Sequence, residues 1–286
     1  MKPETPEAST ETFLDRFYQA FPKRTATVTT PMVLDEEAKY VRVEIDPKKH
    51  KEHIELIHLT DLQFGAKSFK ARRFHEYRDW ILSTPHRFVL LGGDIIDAAT
   101  VLSVASPYEN TEEPSKQILH VCEELKPLRG RILAYVGGNH ERRTARTYGD
   151  AGHTIATILK IPYSRGVQNV DIHYGEKHDP FKVSLWHGSG SARTKGAKMQ
   201  MLHRFMGQGD SQLYMIGHLH DVVATYDWRQ QRERGRIVLK KIAGVMSSSF
   251  QNYWNTYAEV AGMSPSDTMM GRVILTLAGG FELTLK

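Results

Sequence analysis

The sequence predicts an α/β protein in which two mixed sheets pack face to face with helices on the outside. Three observations predict it. Between residues 54 and about 159, short apolar runs alternate with amphipathic helical stretches, the pattern of parallel strands joined by crossover helices. Beyond Asn169 the texture turns strand-rich, with a single helix interrupting it. Five of the apolar runs also end in side chains able to bind metal, and parallel strands bring such ends to one edge of a sheet.

The elements follow in order. Residues 1–10 are polar and read as disordered. Residues 11–21 place Phe13, Leu14, Phe17, Tyr18 and Phe21 at helical spacing, an amphipathic helix that must dock on the core or on a partner subunit. Residues 22–31 form a basic, Thr-rich connector, 40–45 alternate like a half-exposed strand, and 46–53 are a charged turn. Residues 1–50 thus read as an extension packing on a single catalytic domain over 51–286. In that domain a strand at 54–60 leads to a helix over 69–82. A strand at 87–91 leads to helical stretches reaching Leu125, broken at Pro107 and Pro114. A strand at 131–136 leads to helices over 141–159. Further strands are expected at 168–174, 181–187, 212–217, 221–228, 236–242, 271–277 and 281–285. The helix over 195–206 shows Met199, Leu202, His203 and Met206 as its apolar face.

At 286 residues, with 40% hydrophobic and 25% charged residues, the chain has the composition of a soluble globular protein with one large core or two small ones. A net charge of +5 mildly favours an anionic partner. The single cysteine, Cys122, makes no intramolecular disulfide and is expected as a buried apolar residue in a reducing compartment. No stretch approaches the ~18 consecutive apolar residues of a membrane span, and the start, MKPETPEAST, lacks the apolar run of a signal peptide. A cytoplasmic location is the expectation.

The chemistry sits at the strand ends. RFVLLGGDIID (87–97) runs from an apolar strand through Gly92-Gly93 to Asp94 and Asp97, and RILAYVGGNHE (131–141) repeats the device with Asn139 and His140. IELIHLTDLQFG (54–65) ends in Asp61 and Gln63, FKVSLWHG (181–188) in His187, and LYMIGHLH (213–220) in His218 and His220. Asp61/Gln63 and His218/His220 are i,i+2 pairs, which in extended backbone point to one face. Asp61 and Asp94 bring two negative charges, while Gln63, Asn139, His187, His218 and His220 are neutral donors. Two divalent cations on such a set leave a net positive site, suited to a phosphate ester and to a hydroxide nucleophile generated at neutral pH. Mixed imidazole and oxygen ligation suits Mn²⁺, Fe²⁺, Zn²⁺ or Co²⁺ better than Ca²⁺.

This order of motifs resembles the calcineurin-like metallophosphoesterase family, whose pattern is DxH, GDxxD, GNH[DE], a strand-end His and GHxH. Here it reads DLQ (61–63), GDIID (93–97), GNHE (138–141), His187 and GHLH (217–220). The resemblance implies a four-layer α/β/β/α sandwich with a dinuclear metal site. It implies that Asp94 bridges both ions, with Asp61, Gln63 and His220 facing one and Asn139, His187 and His218 the other. It gives His140 the stabilisation of the transition state or protonation of the leaving oxygen, and Asp97 the orientation of a neighbouring group. In texture the chain resembles phage or prophage members. The departure is Gln63, where the family has His. An amide oxygen is a weaker, harder donor than imidazole, which moves the expected ions toward Mn²⁺ or Mg²⁺, with Mn²⁺ first and Zn²⁺ and Fe²⁺ as alternatives.

Cations flank the motifs: Arg142, Arg143 and Arg146 after GNHE, and Arg193, Lys195 and Lys198 after His187. Arg142, Arg143 and Arg193 are the candidate phosphate contacts, Arg142 and Arg143 first because they adjoin His140. The stretch 247–257 (SSSFQNYWNTY) reads as a packed turn, a subunit contact of a homo-oligomer, or a loop on which bases stack. The function read from these residues is a phosphodiesterase acting on nucleotides or nucleic acid. A phosphomonoesterase or lipid-nucleotide pyrophosphatase of the same family is the first alternative. A nucleic-acid-binding protein with a degenerate metal site, which Gln63 favours, is the second.

Overall fold

The computed structural model describes residues 26–29, 40–100, 103, 106–146, 149–175 and 179–286. The helix expected over 11–21 and the side chain of Arg146 lie outside the described residues. In chain order the first half contains β1 (Thr27–Thr29), β2 (Tyr40–Ile45), β3 (His53–Leu59), α1 (Ala71–Leu82), β4 (Arg87–Leu91), α2 (Pro114–Leu125), β5 (Ile132–Val136), α3 (Asn139–Arg143), α4 (Ala151–Leu159) and β6 (Tyr163–Ser164). The second half contains β7 (Gln168–Tyr174), β8 (Phe181–Trp186), α5 (Lys195–Met206), β9 (Leu213–Ile216), β10 (Val223–Glu233), β11 (Arg236–Met246), α6 (Tyr257–Val260), β12 (Gly271–Thr276) and β13 (Phe281–Leu285).

These strands make two mixed sheets. The six-stranded sheet has the order β13-β12-β3-β4-β5-β6, the seven-stranded sheet β1-β2-β7-β8-β9-β11-β10. Strands β3 to β6 run parallel, and β12 pairs antiparallel with β3. In the other sheet β8, β9 and β11 run parallel. The ends of the chain are exchanged between the sheets. Strand β2 pairs parallel with β7, and the β12–β13 hairpin joins the first-half sheet.

Side-chain alternation along the strands builds the layers. Ile54, Leu56, Phe88 and Leu90 face the second sheet and pack with Val41, Val43, Val170, Val183 and Val245. Their neighbours Ile57, Leu59, Val89 and Leu91 pack with Phe74 and Ile81 of α1 and Val121 and Leu125 of α2. Leu202, Phe205 and Met206 of α5 cover Tyr214, Ile216 and Met246 on the far face. The result is helix, sheet, sheet, helix, the four-layer α/β/β/α order. Cys122 lies in the helix-side core, where burial pushes its thiol up to about 12.

The expected apolar face of α5 is corrected at one position. His203 is exposed, and Phe205 and the stem of Lys198 are buried instead. The β10–β11 hairpin is longer than expected because it continues past β9 to a turn at Arg234-Gly235, both at positive φ. No helix of the described residues is long and apolar enough to cross a membrane.

Glu55 ties three neighbouring strands together. Its carboxylate, on β3, accepts from Arg87 Nε of β4 at 3.0 Å and from Arg272 Nε of β12 at 2.7 Å. Burial opposes its charge, but the two guanidinium groups hold it below the usual carboxylate range. The contribution is therefore present above the unfolded-state pKa and is lost as pH falls through the lower folded-state value. Glu55→Gln is expected to cost about 3 kcal/mol at pH 7, because two arginines lose their shared buried anion. Urea midpoints report it, and the gap from the wild type narrows below about pH 4. Equal midpoints at pH 7 would remove Glu55 from the stability of the sheet.

Candidate metal centre and active site

Parallel pairing decides where the motifs go. Asp61, Asp94 and Asn139 leave the carboxyl ends of β3, β4 and β5, and His187, His218 and His220 those of β8 and β9. The loops are stitched to one another. Asp61 N donates to Gly93 O at 2.9 Å, Gln63 N to Asp94 O at 2.9 Å and Gly217 N to His187 O at 3.0 Å. Two further bonds join the sheets: His187 Nδ1 with Gly92 O at 2.8 Å, and His218 N to Asp61 Oδ2 at 2.9 Å.

The i,i+2 pairs are not extended, as the sequence suggested, but left-handed. Asp61 and Gln63 have φ of 51° and 47°, His218 and His220 of 70° and 48°, and Asp94 of 49°. Among the described residues nine non-glycines have positive φ, and five of them are in this cluster. Such backbone costs about 1–2 kcal/mol per residue, so the surrounding loops must impose it. They do so by close approach. A Cβ on Gly138 would lie 1.9 Å from Asp94 Oδ1, and one on Gly217 would lie 2.3 Å from Asp61 Oδ2.

Asp94, His187 and His218 each offer a donor atom within 4.8 Å of the others. His187 Nδ1 donates to Gly92 O and His218 Nε2 to Gly190 O at 2.8 Å, so the opposite nitrogen of each ring is the one that would meet a cation, once it gives up any proton. Asn139 Oδ1 lies 3.1 Å from His187 Nε2. On the other side His220 Nε2 lies 3.2 Å from Asp61 Oδ1 and 3.1 Å from the Gln63 amide nitrogen. Asp61 Oδ1 is buried, and apart from the His220 ring no polar group among the described residues meets it. A buried carboxylate oxygen left so is costly unless a cation meets it. Burial opposes ionisation of Asp94, yet His140 and His187 outweigh it and hold the carboxylate well below its usual range. Burial likewise opposes the charge of His187, and Asp94 nonetheless pushes it up to about 9. Buried carboxylate oxygens among imidazoles whose rings are oriented by backbone carbonyls are a donor set that fits divalent cations.

His140, one residue beyond Asn139, is 8% exposed. Its Nδ1 lies 2.9 Å from Asp97 O and 3.0 Å from Asp97 Oδ1, and its Nε2 lies 3.5 Å from Asp94 Oδ2. The Arg143 guanidinium lies against the ring, one Nη 2.9 Å from each ring nitrogen, and also donates to Asp97 O at 3.0 Å. The other flanking cations go elsewhere. Arg142 is exposed and donates to Gly137 O and Arg165 O, both at 3.4 Å, and Arg193 is exposed on the loop before α5. Lys195 and Lys198 both pair with Asp221.

Sequence reasoning missed Glu141. It is fully buried and accepts from Asp94 N at 3.1 Å, Ile95 N at 2.6 Å, Gly138 N at 2.8 Å and Tyr135 Oη at 2.9 Å. It thereby fixes the two Gly-Gly turns against each other. Its signal was the capping-box position, three residues after Gly138 at the start of α3. Thr60, which donates to Asp61 Oδ2 at 2.6 Å, and His58 were also missed. His58 lies under the site 2.8 Å from Ser247 Oγ, and burial lowers it to about 3, so its ring stays neutral.

Gln63 turns its amide nitrogen toward two imidazoles, 3.1 Å from His220 Nε2 and 3.3 Å from His140 Nε2. Ligating a cation would require its oxygen to point inward. Gln63→His is therefore expected to raise divalent-ion affinity on the Asp61/His220 side by about ten-fold, the lower end of what a single partner contributes to a metal site. Calorimetric titration checks it, and an unchanged affinity would place Gln63 out of reach of the ion.

Two mixed sheets between helical layers, with DLQ, GDIID, GNHE, His187 and GHLH gathered at the strand ends, agree with the layer order that the resemblance to calcineurin-like metallophosphoesterases implied. No family model and no curated protein matches the chain. Among solved structures it is similar to a metallophosphoesterase from Sphaerobacter thermophilus, at 12% identity over 81% of this chain and 87% of that one, with a TM-score of 0.37. It is similar to nuclease MPE from Pseudomonas putida at 9% identity, 90% and 100% coverage and a TM-score of 0.35. A conserved protein from Streptococcus pneumoniae TIGR4, described as a predicted phosphoesterase, gives 14% identity, 82% and 98% coverage and a TM-score of 0.33. Likenesses this distant carry no weight of their own beside the motif order and the geometry.

Proposed function

We propose that the chain is a metal-dependent phosphodiesterase acting on nucleotide or nucleic-acid phosphodiesters. The observation that carries this reading is the convergence of Asp94, His187 and His218 donors within 4.8 Å, beside the buried Asp61 Oδ1, which only the His220 ring meets among the described residues. Asp61, Gln63 and His220 would hold one divalent ion, Asn139, His187 and His218 a second, and Asp94 both, with Mn²⁺ the first candidate. Two ions so held would supply a nucleophile at neutral pH and a clamp on the phosphoryl oxygens.

The chain's own groups do the rest. Asp97 fixes His140 through Nδ1, which leaves Nε2 as the atom able to hold or pass a proton at the leaving oxygen. Arg143, packed on that ring, sets a permanent positive charge beside the phosphate position. Glu141 keeps the Asp94 and Gly138 turns in register. The basic balance of the whole chain, +5, draws polyanions toward the site.

Hydrolysis of bis(p-nitrophenyl) phosphate against p-nitrophenyl phosphate tests the reading, with protein stripped and reloaded in turn with Mn²⁺, Zn²⁺ and Mg²⁺. Faster cleavage of the diester, lost on chelation, is expected. Faster cleavage of the monoester would make this a phosphomonoesterase. No turnover with any ion, together with binding of only one ion per chain, would favour the nucleic-acid-binding reading.

A further inference from the structure

We infer that Trp254 is a stacking platform for a nucleobase beside the metal centre, which makes a nucleoside phosphodiester the substrate class. The inference rests on the phosphodiesterase reading. Its basis is how the segment after β11 is anchored. Phe250 N donates to Asp61 O at 3.0 Å, Gln251 Nε2 to Leu62 O at 2.8 Å and Asn252 N to Ser68 O at 2.8 Å, with Ser68 Oγ closing on Gln251 Oε1. The segment is thus strapped along the turn that carries Asp61 and Gln63. Phe250 locks it further, fully buried with its ring edge-on to Phe74 and Tyr77.

Beyond the strap the loop is pinned to itself. Tyr253 Oη donates to Met263 O at 2.9 Å, Thr256 Oγ1 to Tyr253 O at 2.7 Å, and Asn255 N to Glu259 Oε2 at 2.6 Å. On this ordered loop Trp254 is nevertheless 71% exposed, its ring edge-on to Tyr253 at 5.2 Å. A large apolar ring held out in water by a braced backbone is what a stacking surface requires. Three residue steps of 3.8 Å place its Cα within about 11 Å of that of Gln251, whose side chain bonds the Leu62 carbonyl between Asp61 and Gln63. Asn252 and Asn255 are exposed on either side and offer amides to base edges.

Two substrates with one leaving group test this: the p-nitrophenyl ester of thymidine 5′-monophosphate, and methyl p-nitrophenyl phosphate, which has no base. Trp254→Ala is expected to raise KM for the thymidine ester about ten-fold, the scale of losing one base–aromatic stack, while leaving the methyl ester unchanged. Trp254→Phe should restore most of the loss. A second readout needs no turnover: thymidine 5′-monophosphate should quench tryptophan fluorescence in the wild type and not in Trp254→Ala. If neither ester is cleaved but the quenching is present and Trp254-dependent, the phosphodiesterase reading fails and the platform stands. If both esters are cleaved and Trp254→Ala alters neither KM nor quenching, the platform is overturned and the phosphodiesterase reading stands. A dimer that becomes monomeric in Trp254→Ala at unchanged KM would instead assign the indole to a subunit contact and equally overturn the inference.

Discussion

Asp94→Asn is expected to fold, to lose divalent-ion binding and to lose phosphodiester hydrolysis by about 10³-fold or more. Asp94 sits where the two halves of the donor set meet. Its Oδ1 accepts His140 N at 2.8 Å, and its Oδ2 lies 3.2 Å from His187 Nε2. An asparagine can keep the first bond with its carbonyl oxygen. It then turns an amide N–H toward His187 and removes one of the two motif carboxylates that would neutralise divalent charge. Ions in such sites stabilise the transition state by several kcal/mol, and each 1.36 kcal/mol is a factor of ten in rate. Metal analysis after gel filtration reads the first loss, kinetics at saturating Mn²⁺ the second, and an intact cooperative unfolding transition excludes collapse of the fold. An Asp94→Asn protein with wild-type ion content and turnover would overturn the metal-centre reading.

The sequence carried the strand ends and little of what shapes them. Its period-two and helical patterns located β3, β4, β7 and α5 within a residue or so, because each is a long, regular or fully buried segment. It missed β6, two residues long, and left open which strand β2 joins, because a pattern of alternation does not say which neighbour a strand pairs with. The motif residues were legible because metal-competent side chains after apolar runs are rare in combination. Their left-handed backbone was not, since Asp61, Gln63, Asp94, His218 and His220 are held there by loops distant in sequence. The same reason hid Glu141, whose hydrogen bonds to Asp94 N and Ile95 N span 47 and 46 residues. Arg142 and Arg143 are neighbours of equal chemistry in the sequence. Only the turn of α3 decides that Arg143 packs on His140 while Arg142 points to the Gly137 and Arg165 carbonyls.

His140→Ala is expected to lower kcat by about 10²–10⁴-fold, the range of a positioned general acid, while ion content stays at the wild-type level. On the proposed reading the ring serves this step and not ligation. Its Nδ1 is committed to Asp97, and its Nε2 stands 3.5 Å from Asp94 Oδ2, next to the donor cluster but outside the set whose atoms converge within 4.8 Å. A proton held at Nε2 matters in proportion to how poor the leaving group is. The defect should therefore be large for a thymidine dinucleotide, which expels an alkoxide, and much smaller for bis(p-nitrophenyl) phosphate, which expels a stable phenolate. Equal defects on both substrates would mean that the ring steadies phosphoryl charge and donates no proton. Loss of an equivalent of metal would mean that it is a ligand after all. Asp97→Asn provides the internal comparison. It keeps the backbone carbonyl at 2.9 Å from Nδ1 but removes the carboxylate at 3.0 Å. A positioning role for Asp97 predicts a smaller defect with the same leaving-group dependence, because the ring is loosened without being removed.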